Sequence, residues 1–320
     1  MLKPNVVATF MSGVAEMNAD ASSTAWAGTG SETYKSANSS IHDYAAEMTE
    51  RGQLWNWGIN VPELSAEIER RSPGFAEYGT DTFSEQLYYL ALRDLPKGID
   101  SLTGQTVVEV GCGAGEGLNF LSRLAPGALM TGLDLSPVAI ARANGVLARG
   151  DSLQYVHGDA EHLPFEDASV DVVINVESSH TYPDLARFFR EVARVLRPGG
   201  VFSHIDVFTG PRLAKMRLIQ AEQTELEWVS DHDISDDVRA AVRARMAKGS
   251  KFRKNIEKQR MNPLVRAMTT HGQFMVFGGI FAGYTPPAPI RALARTGVLP
   301  GMDSLPMESY RHQIAVRAEA

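Results

Sequence analysis

Glu177 and His180 stand three residues apart in Glu177-Ser178-Ser179-His180-Thr181-Tyr182, directly after an apolar run. An imidazole with an ordinary pKa near ~6.5 accepts a proton at neutral pH, which makes His180 a candidate general base. Glu177 is a candidate to orient it, to act as the base itself, or to stabilise a carbocation. Three more acids, Glu109, Asp134 and Asp159, each fall within or at the end of an apolar run upstream. Glu109 stands within VVEVGCGAGEG (107–117), a β-branched run that breaks into four alternating glycines. Such a turn lets a ligand approach the backbone closely, and the helix that follows presents its N-terminal amides to that ligand. Glu109 is polar in an otherwise apolar strand, so it is expected to face the ligand.

These groups need a sheet edge to bring them together. From 104 onward the pattern alternates regularly: strands at 106–110, 128–133, 153–157, 170–176 and 201–207, with helices near 116–124, from Ser136-Pro137, and near 183–196. Repeats of this length predict a parallel sheet with right-handed crossovers, an α/β doubly wound core. Pro198-Gly199-Gly200 ends the last helix. Beyond 208 the pattern turns helical, and 211–270 reads as a helical lid insertion. Asp236 and Asp237 begin one of its helices and Arg243, Arg245 and Lys248 end it, matching the macrodipole at both ends. Extended segments at 273–282 and 308–317 are expected to return to the sheet and complete seven strands.

The acids then narrow the cofactor. At the end of the second strand Asp134 lies beside the first crevice of such a sheet, where a carboxylate accepts both hydroxyls of a ribose. A nicotinamide dinucleotide uses the same acid, so Asp134 indicates an adenosine-type ligand without naming it. Asp159 is placed to accept from an exocyclic adenine amine, and Ala160 to offer its backbone amide to a ring nitrogen. With Glu109 and Glu177, these acids gather negative charge along one edge. A pyrophosphate has little use for that, and a cation does. S-adenosylmethionine fits, because its sulfonium is positive and its linker carries no phosphate. An NAD-dependent oxidoreductase is the rival from a different class.

The totals agree with an enzyme of small molecules. A chain of 320 residues holds one α/β core with an appended lid. A net charge of −7 argues against a nucleic-acid or anionic-membrane partner. The basic run at 239–260 is read as a solvated helix surface. Cys112 is the sole cysteine, which fits a reducing compartment and a filler role. No stretch is long and apolar enough to span a bilayer, no metal-ligand cluster stands out, and a cytoplasmic location is expected.

The chain divides into three segments: a tail at 1–31, a helical cap at 32–103 and the core with its insertion at 104–320. Asn5 begins an expected helix to about Asn18, with Val6, Val7, Phe10, Met11, Val14 and Met17 in one stripe. It packs either on a neighbouring protomer, making a homo-oligomer, or back on its own subunit. The cap is expected to hold a short helix before Trp55-Asn56-Trp57-Gly58 and another from Asp81 to about Arg93, which presents Gln86. An apolar substrate cavity under the insertion is expected to be lined by Trp55, Trp57, Tyr182, Phe208, Phe274 and Phe277.

Taken in order, VVEVGCGAGEG, GLDLSP, GDAEHLPFEDASVDVVINVESSH and EVARVLRPGG resemble the successive motifs of class I S-adenosylmethionine-dependent methyltransferases. More narrowly, TYKSA, WNWG, NVESSHTYPDLARFFREVARVLRPGG and ESYRHQIAVRA are similar to the mycobacterial phthiotriolone/phenolphthiotriolone dimycocerosates methyltransferases, which O-methylate a large lipidic polyketide. The resemblance covers 104–207 strongly and does not extend to the N-terminal helix. It implies a Rossmann-like sheet in which Glu109, Gly111, Gly113 and Gly115 line the cofactor's methionine and ribose. It further implies that Asp134 holds the ribose, Leu135 flanks the adenine, and Asp159 and Ala160 bind its edge. Asn175 is then beside the sulfonium, and Gln86 meets the methionine carboxylate. O-methylation of a polyketide- or terpenoid-like hydroxyl is the leading expectation. C-methylation of a prenyl alkene is the alternative, in which Glu177 matters more than His180.

Overall fold

The computed structural model describes residues 5–6, 8–10, 12–13, 31–48, 54–75, 80–289 and 307–319. Seven strands form one sheet in the order β3-β2-β1-β4-β5-β7-β6. They are β1 (Thr106–Val110), β2 (Leu129–Asp134), β3 (Leu153–His157), β4 (Val170–Val176), β5 (Leu196–Thr209), β6 (Leu226–Asp233) and β7 (Met307–Arg317). The first five pair in parallel, while β7 runs antiparallel to both β5 and β6. The strand order therefore reverses between β1 and β4, and a crevice opens at their carboxyl ends.

Helices cover the sheet and cap that crevice. They are α1 (Ser31–Met48), α2 (Pro62–Arg71), α3 (Phe83–Arg93), α4 (Glu116–Leu124), α5 (Pro137–Val146), α6 (Leu185–Val195), α7 (Gly210–Glu222), α8 (Ser235–Met246), α9 (Lys251–Lys258) and α10 (Pro263–Val276). Local chemistry explains several starts. The Ser136 hydroxyl accepts from the Ala139 amide at 3.0 Å and Pro137 opens α5, while Asp184 accepts from Arg187 N at 2.8 Å to cap α6. One core layer joins α3 and α4 to the sheet through Leu87, Tyr88, Leu118 and Ile174. The other buries Phe188, Phe189, Val192 and Phe202 under α6.

Three expectations about the outer elements are corrected. The 211–270 insertion is not purely helical, because β6 crosses it as an edge strand. Only its buried Leu226 and half-buried Trp228 and Ser230 break an exposed, polar pattern. The 273–282 segment does not return to the sheet. Instead α10 runs into it as far as Val276 and turns follow; the Gly279 amide donates to the Phe274 carbonyl at 2.7 Å with Gly278 at φ +76, a glycine-terminated helix end. Nor is the basic run simply solvated. Arg245 is buried and donates to Asp81 at 2.7 and 2.9 Å, to the Asn56 and Trp57 carbonyls at 3.0 and 2.7 Å, and to Ser84 Oγ at 2.9 Å. That fork ties α8 to the cap.

Most of the N-terminal tail lies outside the described residues, including Val7, Met11, Val14, Met17 and all of 14–30. The described part of 5–13 is helical. Phe10 stacks on Tyr34 of its own chain, with ring centroids 5.9 Å apart. At Phe10, then, the stripe is seated on its own subunit.

Candidate active site

The glycine turn sits at the reversal point. Gly111 has φ +79, and a Cβ there would collide with Ser178 and Tyr182; Gly115 has φ +81, and a Cβ would come within 2.6 Å of the Tyr155 ring. Glycine is therefore required at both, by conformation and by space. Asp134 pins the turn from the neighbouring strand. Its Oδ2 accepts from the Gly113 amide and its Oδ1 from the Ser136 amide, each at 2.8 Å. A carboxylate offers about four acceptor positions, so both oxygens keep capacity for a ligand's hydroxyls.

A cavity of about 320 Å³ opens above this turn. Gly111, Gly113, Asp134, Leu135, Asp159, Ala160, Glu177, His180, Tyr182, Trp55, Trp57 and Phe277 all line it. The sheet edge thus brings together most of the residues the sequence singled out. Phe10 also lines it, so the N-terminal tail reaches the cavity.

Six expected residues fall elsewhere. Phe208 is buried in the α6 core layer, with its ring 6.0 Å from His204, because its position on β5 turns it away from the cavity. Phe274 packs among Phe252 and Tyr284 in the α9–α10 unit. Gln86 is buried, and its carbonyl accepts from the Val61 amide at 2.8 Å, so it braces the cap. Gly115 backs onto Tyr155. Asn175 donates from Nδ2 to the Val110 carbonyl at 2.8 Å and to Ser178 Oγ at 2.7 Å, which braces the floor of the site. Glu109 does not line the cavity either. It is completely buried, both carboxylate oxygens lack a hydrogen-bond partner among the described residues, and burial pushes its pKa up to about 8. Tyr88, which lines the cavity, and Asp134 are its neighbours.

At the adenine-side edge a lysine appears that the sequence did not flag. Lys35, on α1, donates to Asp159 Oδ2 at 2.7 Å and Glu161 Oε2 at 2.6 Å. Burial alone would raise the Asp159 carboxyl, but Lys35 and the Glu161 amide together hold it below the ordinary carboxylate range. The same two carboxylates more than offset the burial of Lys35 and raise its ammonium. The TYKSA segment contained this residue, yet nothing local tied it to Asp159.

On the opposite side, β4 is followed by a left-handed residue, Glu177 at φ +52. This sparsely populated conformation in a non-glycine residue is held by the Glu177 amide donating to Ile205 at 2.7 Å and its carboxylate accepting from Trp57 N at 2.8 Å. Burial pushes the Glu177 carboxyl up to about 8. His180 follows in a single helical turn, Ser179–Thr181. Asp206 on β5, not Glu177, orients it: His180 Nδ1 lies 2.8 Å from Asp206 Oδ1. The His180 amide donates to Asp206 Oδ2 at 2.9 Å, and Ser179 Oγ donates to the same oxygen at 2.6 Å. Burial opposes ionisation of Asp206, but His180, with His204 and Ser179, outweighs it and the carboxyl falls to about 2. Against its own burial, the His180 imidazole is raised by that carboxylate. With Asp206 ionised, Nδ1 carries the proton and Nε2 is left as the basic nitrogen. A polar residue inside VFSHIDV was the available signal for Asp206.

Among the described residues no cluster of His, Cys, Asp and Glu is arranged to hold a metal, and no helix is long and apolar enough to cross a membrane.

Comparison with known proteins agrees with this geometry. Residues 108–203 match the family model described as "Methyltransferase domain". The chain is 44% identical over 137 residues to the phthiotriol/phenolphthiotriol dimycocerosates methyltransferase of Mycobacterium tuberculosis, covering 43% of this chain and 50% of that protein. It is 44% identical over 126 residues to a fatty-acid O-methyltransferase of Mycolicibacterium smegmatis, covering 39% and 43% respectively. It thus spans about half the length of the curated relatives it matches. In structure it is similar to geranyl diphosphate C-methyltransferase from Streptomyces coelicolor, with a TM-score of 0.55 at 16% identity over 88% of this chain and 97% of that one. The [4+2]-cyclase SpnF is also similar, with a TM-score of 0.51 at 19% identity over 91% and 95%. At such identities these two likenesses speak to the fold, which is Rossmann-like. The chain carries a methyltransferase domain over residues 108–203.

Proposed function

We propose that this protein transfers a methyl group from S-adenosylmethionine to a hydroxyl of an apolar natural product. The observation that carries the reading is the His180–Asp206 pair at the cavity wall, a base already held in one tautomer. S-adenosylmethionine supplies an activated methyl on a sulfonium. The residues present fit it: the open glycine turn, spare acceptor capacity on Asp134, the Ala160 backbone, and carboxylates at the strand ends suited to a cation. Glu109, buried beneath the turn and raised to about 8, is largely protonated at neutral pH and adds no charge to the seat.

Within this reading the protein has two tasks, alignment and proton removal. Trp57, Trp55, Tyr182 and Phe277 enclose the substrate and keep water from it. His180 Nε2 takes the hydroxyl proton, and Asp206 stabilises the imidazolium that results. Glu177, pushed up to about 8, is largely protonated at neutral pH and makes a poor base or cation stabiliser there. This favours O-methylation over C-methylation of an alkene through a carbocation. Lys35 is the sole Lys or Arg among the described residues lining the cavity, and two acids already neutralise it. The site therefore favours a neutral substrate over a diphosphate.

The test is calorimetric titration with S-adenosylhomocysteine and with NAD, followed by methyl transfer to long-chain alcohols. Binding of S-adenosylhomocysteine with labelled methyl appearing on oxygen supports the proposal. Binding of NAD alone would point to an oxidoreductase and overturn it, and methyl on carbon would favour the alkene reading.

A further inference from the structure

The α9–α10 hairpin carries a surface that methyl transfer does not use. On α10, Leu264 is 71% exposed, Val265 43% and Met268 50%, and no other three large apolar side chains among the described residues are so exposed within one helical turn or so. Leu264 and Met268 are four residues apart and share a helix face. The sequence leading into them is strongly basic. Between Lys248 and Val276 there are seven Lys and Arg residues against one acid, Glu257, in a chain whose net charge is −7. Of these, Lys248, Lys251, Lys254, Lys258 and Arg260 are exposed, and the last two lie within six residues of Leu264. The same hairpin leads into the cavity: α10 ends at Val276, and the next residue, Phe277, lines the wall beside Trp57.

Apolar side chains that project beside a cluster of cations on a short helical hairpin match an anionic lipid surface. The cations are drawn to the negative headgroups and the apolar residues enter the acyl boundary. Such a local patch works against the chain's overall negative charge, so the attraction is confined to this face. A second copy of the chain would meet the same basic cluster with its own, and like charges would oppose that pairing.

We propose that the α9–α10 hairpin docks on an anionic lipid surface through Leu264, Val265 and Met268, with Lys254, Lys258 and Arg260 on the headgroups. This goes beyond the methyl-transfer reading, and binding is measured without any turnover, so the two fail separately.

The experiment is flotation of the full chain with phosphatidylcholine vesicles, with and without about one third phosphatidylglycerol. The wild-type chain floats with the anionic vesicles and is released as salt rises. L264D/M268D and K258E/R260E each reduce the bound fraction at least about ten-fold, while circular dichroism and S-adenosylhomocysteine affinity stay unchanged. Failure to float with anionic vesicles overturns the proposal. So does flotation that neither double variant alters. Self-association abolished by L264D/M268D, without vesicle binding, assigns the face to a second copy and overturns it equally.

Discussion

His180 Nδ1 and Asp206 Oδ1 lie 2.8 Å apart, on two different strand ends separated by 26 residues of sequence. The pair sets a tautomer, and it also sets a direction in pH. Asp206 raises the imidazole, so His180 becomes neutral only above the ordinary histidine value near ~6.5. Turnover should rise with pH through an inflection on the alkaline side of that value. H180A should lower kcat at least ~100-fold with S-adenosylhomocysteine affinity intact. D206N should move the inflection to lower pH as well as reduce the rate, and a merely structural loss would leave the inflection where it was.

Lys35 bridges Asp159 and Glu161 at 2.7 and 2.6 Å, so Lys35→Met leaves two carboxylates facing each other without a cation. Breaking a buried pair in this way typically costs ~3–5 kcal/mol, and the partial exposure of Asp159 places the expected loss at or below the lower end. The bridge contributes above the unfolded Asp value near ~3.9, because the folded Asp159 is lowered, and it is lost as pH falls through the folded value. On the alkaline side the raised Lys35 keeps it intact beyond the ordinary lysine range. Thermal melts of both proteins from acid to neutral pH should therefore diverge as pH rises. S-adenosylhomocysteine affinity should fall in the variant, and a variant equal to wild type at neutral pH would remove the bridge from the account.

Glu109 and Glu177 are both raised to about 8 from an ordinary value near ~4.5. Each binds its proton more tightly in the folded chain, so each favours folding below the unfolded value and loses that contribution as pH rises through about 8. Denaturant midpoints should fall between those limits. Glu109→Gln should flatten that fall without lowering stability at neutral pH, and an unchanged pH dependence would show that Glu109 titrates normally.

Arg245 places its guanidinium among Asp81, Ser84 and the carbonyls of Asn56 and Trp57. Lysine is a single point donor and cannot fill that fork. R245K should lower stability by ~2–3 kcal/mol, the scale of lost charge-assisted hydrogen bonds, and raise substrate KM more than it lowers kcat, since Trp57 walls the cavity. Comparison of kcat and KM checks this, and a change confined to kcat would contradict it.

What the sequence by itself determined was the central sheet and the turn at its edge. β1 to β5 centre on apolar runs, and β2, β4 and β5 lead into helices capped by Ser136, Asp184 and Thr209, a signal that is local. A carboxyl-terminal edge then follows from parallel pairing, so Asp134, Asp159 and His180 converge without any coordinates. Tertiary structure decided what crosses between distant segments. Lys35 meets Asp159 over 124 residues, and Asp206 reaches His180 from the next strand. The strand β6 is legible only through its pairing with β7, because an exposed edge strand carries little apolar pattern of its own. Conversely, 273–282 reads as extended from its apolar content, yet helix hydrogen bonds continue to a glycine stop at Gly278. Apolar content alone does not separate a short buried strand from a helix end, and packing settles which of them forms.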